Sequence, residues 1–591
     1  MSQSPIPAQV PGDLVPMPTM RPAILARRHA VSAGHYLASL AGMRMLESGG
    51  NAVDAGVAAG LVLNVVQSDY TNLGGVAPIV VYLAETRQVI TLAGIGAWPK
   101  SASIEWFTSR GHDRIPGGIP ASIVPAAVDA WLTALARFGT LSLAEVAAPA
   151  MELADSGFAV HQFLHDNLHG YRAGMEVWPS TMAIYRIDGR IPEVGERLVQ
   201  KDLARTLGRL VDAEAQAAGQ GRSEAIMAAR DRFYRGDIAR EMIDFCQSEG
   251  GLLTMEDLAD YHVEVGPGPS VSYRDYQVYA CGPWCQGPTV LFALGVLRGF
   301  DLRALGHNSV DSLHLIAEAL KLGFSDRNGF CGDPRFADVP MARLLSAGYL
   351  DARRDMIDLA QAWERLPPPG LPSDGLQNGA SHADDEAEEA VTASGRTGPD
   401  TSYVCAVDSH GNAFSATPSD GAVLTPVVPG LGIVISDRGR QSWLDPNNPA
   451  SVAPGKRPRL TPNPGLVLKG DRFVMPYGTP GGEIQPQAML QFLVNAIDFG
   501  MEPQEAIEAP RIATFSQPSS AGRHAFTPGL LKGESRLGSA LDELAARGHR
   551  VSLWPPYTPS AGSVCAIAAD GDKDLITAAA DVRRVSYAIG W

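Results

Sequence analysis

A threonine stands where ordered sequence restarts. Residues 366–399 read LPPPGLPSDGLQNGASHADDEAEEAVTASGRTGP, and Asp400-Thr401-Ser402-Tyr403 follows at once. A threonine hydroxyl is a poor nucleophile until a base takes its proton. A freed α-amine on the same residue can be that base, because its pKa near about 7.7–8.0 leaves a neutral fraction at pH 7. That chemistry requires the bond between Asp400 and Thr401 to be cut. A proline-rich, acidic segment upstream suits a cut, since the new end can move away. A strand downstream would hold the nucleophile rigidly. Residue type alone leaves Thr401 one threonine among many.

Three other groupings could do chemistry. Gly478-Thr-Pro-Gly-Gly-Glu483 follows a strand-like run, and its paired glycines let backbone N–H groups approach a ligand, as an oxyanion hole requires. The same residues also fit a plain turn. Arg438 and Arg440 flank Gly439 in SDRGRQ, so one of them could turn inward toward an anionic substrate group; two solvated loop arginines are the simpler reading. His161, His165 and His169 are spaced by four and would share one helix face, where three imidazoles could hold a metal. Surface histidines are commoner, and no metal site is expected. Cys281 and Cys285 form a C-x3-C pair that no second pair completes, so they read as buried thiols.

These residues need elements to position them. Ile79–Leu83 and Gln88–Leu92 are strand candidates around a turn at residues 84–87. Residues 53–66 are apolar nearly all round and predict a buried helix. Residues 120–260 read as mainly helical, with Ser142 and Glu145 forming a capping box. Ser309 to Phe324 is periodic as a helix. After the segment 366–400, which buries too little apolar surface to offset its ordering entropy, Tyr403–Val407 and Ala413–Thr417 predict a hairpin turning at Asp408–Asn412. Strands at 432–436 and 464–469 and a helix at 485–497 complete the C-terminal part, giving a mixed α/β (α+β) class.

Composition narrows the function classes. The 591 residues are 45% apolar and 19% charged, and the formal charge is −16, which argues against a dedicated nucleic-acid binder. Six cysteines do not make a disulfide framework. No stretch has the roughly 18 apolar residues that span a bilayer. Arg27-Arg28 precedes an amphipathic run rather than an export signal, so a soluble, cytoplasmic protein without a membrane partner is expected.

Taken in order, the motifs resemble those of the γ-glutamyltransferase family of N-terminal nucleophile (Ntn) hydrolases. The resemblance rests on GGNAVDA at 49–55, NLGG at 72–75, FYRG at 233–236, GGLLT at 250–254 and YQVY at 276–279. It continues through Ala317-Glu318-Ala319, Asp326-Arg327, Gly332-Asp333-Pro334, DTSY at 400–403, Lys456-Arg457-Pro458 and GTPGG at 478–482. It implies a four-layer αββα sandwich built from two subunits of one self-cleaved precursor. The expected parts are a terminal segment 1–21, a large subunit 22–365, a tail 366–400 and a small subunit 401–591. It also implies Thr401 as nucleophile with its own amine as base, Ser419 as the supporting hydroxyl, Gly481 and Gly482 as oxyanion donors, and no metal or organic cofactor. Ile95 occupies the place of the family's carboxylate-binding arginine, Leu460-Thr461 that of its paired serines, and Gly421, Arg438 and Gln441 the amine-binding positions. Losing each charge-assisted bond costs about 1.5–3 kcal/mol, so the chemistry is kept while γ-glutamyl recognition is weakened. The loop is more similar to family members outside the glutathione-processing branch, among which oxamate amidohydrolase is a known activity.

The expectation is a hydrolase of a small amide or N-acyl substrate through an acyl-threonine, finished by water or an amine. Arg438, Thr461 and Gln441 are the candidate binding residues, with Trp98 and Trp443 narrowing the pocket. The expected partners are that small molecule, the two subunits and a higher homo-oligomer of them. The alternatives are a γ-glutamyl hydrolase or transferase acting on glutathione-like substrates, and an uncleaved non-catalytic scaffold.

Overall fold

The computed structural model describes residues 19–370 and 401–591. Asp400, nearly all of the expected segment 1–21 and most of 366–400 lie outside the described residues.

Short apolar runs bounded by turn residues form fourteen strands in two seven-stranded sheets. In chain order they are β1 (Ile24–Ala26), β2 (Ala30–Ala33), β3 (Ile79–Leu83), β4 (Gln88–Leu92), β5 (Val265–Pro267), β6 (Ser270–Tyr273) and β7 (Tyr276–Ala280). After the undescribed stretch come β8 (Val404–Val407), β9 (Ala413–Ala416), β10 (Gly465–Lys469), β11 (Phe473–Gly478), β12 (Cys565–Asp570), β13 (Leu575–Ala580) and β14 (Tyr587–Gly590). One sheet runs β14-β2-β8-β9-β3-β4-β5 and the other β1-β13-β12-β11-β10-β7-β6. Every pairing within them is antiparallel. Each sheet therefore combines strands from before and after the candidate cut.

The sheets lie face to face. Ser32 Oγ on β2 donates to the Ala579 carbonyl on β13 at 2.8 Å. The Tyr403 ring packs on Gly478, where an added Cβ would lie 2.3 Å from the ring. Helices α1 (Tyr36–Glu47) and α2 (Ala52–Val66) cover the outer face of the first sheet. Helices α3 (Gly287–Leu297) and α5 (Ile484–Ile497) cover the second, and α4 (Val310–Phe330) packs over α3. This is the expected αββα sandwich.

Burial explains the sequence pattern. All fifteen residues of α2 are buried, which is why it is apolar all round. Gly56 lets it sit directly on the hairpin: a Cβ there would come 2.0 Å from the Phe414 ring. The expected hairpin forms, with Val404 opposite Ala416 and Val407 opposite Ala413. Helix α4 runs six residues past the expected end because Ser325, Asp326 and Arg327 are buried and paired rather than solvated. The expected strand at 432–436 shortens to Ile433–Val434, paired with Val427–Val428.

Candidate active site

Thr401 and Ser419 form an isolated bridge just before β8 and after β9. Ser402 N–H donates to the Pro418 carbonyl at 3.0 Å, which fixes the crossing of the two chain segments. Thr401 Oγ1 and Ser419 Oγ lie 3.0 Å apart, and both residues are buried. Ser402 Oγ donates to Gln67 Oε1 at 2.6 Å, and Gln67 Nε2 donates to the Gly34 carbonyl at 3.0 Å. Helix α2's C-terminus thus clamps the residue next to the candidate nucleophile.

A charged chain continues behind Ser419. The Arg438 guanidinium donates through Nη2 to Ser419 Oγ and through Nε to Asp420 Oδ1 at 2.9 Å. Ser436 Oγ donates to Asp420 Oδ2 at 2.5 Å. Asp420 sits at φ +85°, a left-handed conformation that Asp tolerates better than most side chains. Burial pushes its carboxyl above the ordinary range, and the Arg438 guanidinium opposes that shift. Behind this row, Gly75 and Gly421 permit close chain crossings: added Cβ atoms would lie 2.2 Å from the Ser419 carbonyl and 1.7 Å from the Asp69 carbonyl.

The glycine turn approaches from the second sheet. Gly478 ends β11 against Tyr403, and Gly481 and Gly482 follow with φ of +129° and +55°. Among the described residues, no acceptor takes the N–H of either glycine. Gln286 Nε2 holds the turn by donating to the Gly482 carbonyl at 2.7 Å and the Thr461 carbonyl at 2.8 Å. Arg327 Nη1 in turn donates to Gln286 Oε1 at 3.0 Å. Gln441 and Thr461 bind each other reciprocally, through Gln441 Nε2 to Thr461 Oγ1 at 3.2 Å and Thr461 N–H to Gln441 Oε1 at 3.0 Å.

Other expected residues have different surroundings. Ile95 and Leu460 are buried in the apolar core beside this region. Trp98 is buried, and its Nε1 donates to Ser442 Oγ at 2.9 Å; Trp443 stacks on His524 at 3.7 Å between ring centroids. The histidine row does not share one environment. His161 caps a helix at Gln162–Gly170 and faces the Val66 carbonyl, while His165 pairs with Asp166 and Glu193. Burial and His161 lower the His35 imidazole to about 3, and burial lowers that of His161 to about 4. A separate buried group of His314, Glu318 and His549 has ligand-type atoms within 4.8 Å of one another. Lys321 Nζ lies 2.7 Å from Glu318 Oε1, so an ammonium already supplies its positive charge.

Gln67, Gln286, Asp420 and Ser436 escape a sequence reading, and Arg327 enters it only as part of a motif without an assigned role. Gln67 and Ser402 are 335 positions apart. The SDG run at 419–421 carries the one local hint, since Asp and Gly favour the positive φ that Asp420 adopts.

The family model described as Gamma-glutamyltranspeptidase matches residues 38–591. The chain is 32% identical over 584 residues to the Glutathione hydrolase-like YwrD proenzyme of Bacillus subtilis, covering 97% of this chain and all of that protein. It is 33% identical to the Acylase ACY 1 proenzyme of Pseudomonas sp. (strain SE83), covering 93% and 92%. Among solved structures it is similar to a cephalosporin acylase from Bacillus halodurans, with a TM-score of 0.82, 29% identity and 98% of each chain covered. The chain therefore belongs to the gamma-glutamyltranspeptidase family, as a threonine-dependent Ntn hydrolase produced as a proenzyme that yields a large and a small subunit.

Proposed function

We propose that the chain hydrolyses a small amide or N-acyl compound after cutting itself between Asp400 and Thr401. The observation that carries this reading is the 3.0 Å contact between Thr401 Oγ1 and Ser419 Oγ, backed by the Arg438 guanidinium. Once freed, the Thr401 amine takes the hydroxyl proton as Oγ1 attacks the amide carbonyl. Ser419 orients Oγ1, and Arg438 holds Ser419 and places a positive charge behind the developing oxyanion chemistry. Gly481 and Gly482 supply backbone N–H groups to the carbonyl oxygen. The protonated amine then passes its proton to the leaving amine, and water releases the acyl group from Thr401.

In this reading Thr461 and Gln441, bonded to each other, border the acyl group, and Arg438 lies in the same turn as Gln441. Ile95 and Leu460 are apolar and buried where a γ-glutamyl group would need charge, which favours a different acyl group. Thr401→Ala should remain one full-length chain and show no amide turnover. Two chains from that variant would sink the assignment. The wild-type small fragment should begin Thr-Ser-Tyr on N-terminal sequencing. A panel of amides including oxamate, glutathione and a γ-glutamyl anilide then ranks the substrates.

A further inference from the structure

A cavity of about 350 Å³ is lined by residues 111–117, Arg440 and Gly522. Its walls are tied to both sides of the candidate catalytic group. Arg440 belongs to the single 3-10 turn Arg438–Gln441. That turn sends Arg438 to Ser419 and Gln441 to Thr461, while Arg440 lines the cavity. Gly522 follows Ser520, whose N–H donates to Glu483 Oε1 at 2.6 Å, next to Gly482. The turn that carries Arg440 is packed tightly at Gly439, where an added Cβ would lie 2.4 Å from the Ala121 carbonyl and 2.5 Å from the Trp98 ring.

The charges around the cavity are uneven in how they are used. The Arg440 side chain is 13% exposed, and its Nε lies 3.2 Å from Asp437 Oδ2. That Nε is buried without a hydrogen-bond acceptor. Asp437 lies outside the lining, and its Oδ2 also receives the Gly118 N–H at 3.5 Å. Arg114 and His112 are at the rim, with Asp113 as the lining carboxylate. An arginine placed this way can offer its terminal N–H groups in a fork, which matches a carboxylate.

We propose that this cavity receives the carboxylate of an anionic amide substrate, with Arg440 as the specificity-determining residue and Arg114 assisting from the rim. The proposal rests on the amidohydrolase reading above and assigns anion recognition to Arg440, because two of the donor positions of Arg438 are committed to Ser419 and Asp420.

The test compares matched amides on mature enzyme. Glutaryl-p-nitroanilide is paired with pentanoyl-p-nitroanilide, placing the charge on the acyl half. Acetyl-4-aminobenzoate is paired with acetanilide, placing it on the amine half. In the wild type, the charged member of one pair should be preferred at least tenfold in kcat/KM. Arg440→Gln should cut that ratio at least tenfold, chiefly through KM, and Arg440→Lys should keep part of it. Arg114→Gln should have a smaller effect that salt abolishes. Glutarate binding measured by calorimetry provides a readout without turnover. A charged-to-neutral ratio and a glutarate affinity that are both unchanged in Arg440→Gln would overturn the proposal. Arg440-dependent glutarate binding by an enzyme that hydrolyses no amide would instead leave the cavity assigned and defeat the amidohydrolase reading.

Discussion

At the scale of single residues, the candidate site is a row of four polar groups that share one buried path: Thr401, Ser419, Arg438 and Asp420. Removing Ser419's hydroxyl strips the contact that aims Thr401 Oγ1 and leaves part of the Arg438 charge unanswered. A lost hydrogen bond to a charged group costs about 1.5–3 kcal/mol. Ser419→Ala should therefore slow both self-cleavage and amide turnover by roughly 10–150-fold, read as band conversion over time and as kcat. Asp420 offers a cleaner separation of charge from backbone. Asn tolerates its positive φ, so Asp420→Asn should keep the chain path but leave Arg438 without its buried partner. Breaking a buried pair from one side costs about 3–5 kcal/mol. A melting temperature within experimental error of wild type would show that this pair does not brace the site.

Two elements hold that row in place. Helix α2 touches the hairpin through Gly56, and a methyl group there has no room beside Phe414. Gly56→Ala should destabilise the protein by about 1–3 kcal/mol, as overpacking does, and slow maturation by shifting the hairpin. Thermal unfolding and a cleavage time course would read both effects. His35 caps helix α1, its Nδ1 accepting the Leu37 N–H at 3.2 Å. Burial holds His35, His161 and His549 at about 3, about 4 and about 3, all below the ordinary 6.5. The unfolded chain binds protons at these sites first. Their contribution is complete above about pH 6.5 and is lost as pH falls toward the folded values. Each site should cost about 2 kcal/mol at pH 5 relative to pH 7. The thermal midpoint should fall over that interval. His35→Asn, which keeps a capping acceptor without titrating in this range, should flatten the fall.

For the whole molecule, the two halves cannot part without dismantling both sheets. Strand β8 lies between β2 and β9, and β10 lies between β7 and β11. The cut fragments should co-elute on native size exclusion and separate only in denaturant; separation under native conditions would contradict the interleaved pairing. Among the described residues, no helix is long and apolar enough to cross a membrane. Much of this architecture was legible in the sequence. Periodicity gave α2 and the hairpin because their burial is nearly complete and local, and the ordered motifs pointed to the αββα sandwich. The abrupt restart at Thr401 likewise marked a candidate nucleophile, since that signal depends on neighbours in the chain. The network behind it was not legible. Gln67 and Gln286 reach the site across large separations in sequence, and nothing in their local composition distinguishes them from solvated polar residues; Arg327 was marked by its motif but not by its role. The different tasks of Arg438 and Arg440 were also hidden, because residues two apart in a tight turn face different surroundings that packing alone specifies. Sequence by itself determined the nucleophile candidate and the class of fold, through local pattern and motif order. Tertiary structure decided which charges meet Thr401 and which line the cavity, because long-range burial is what gives a polar side chain its partner.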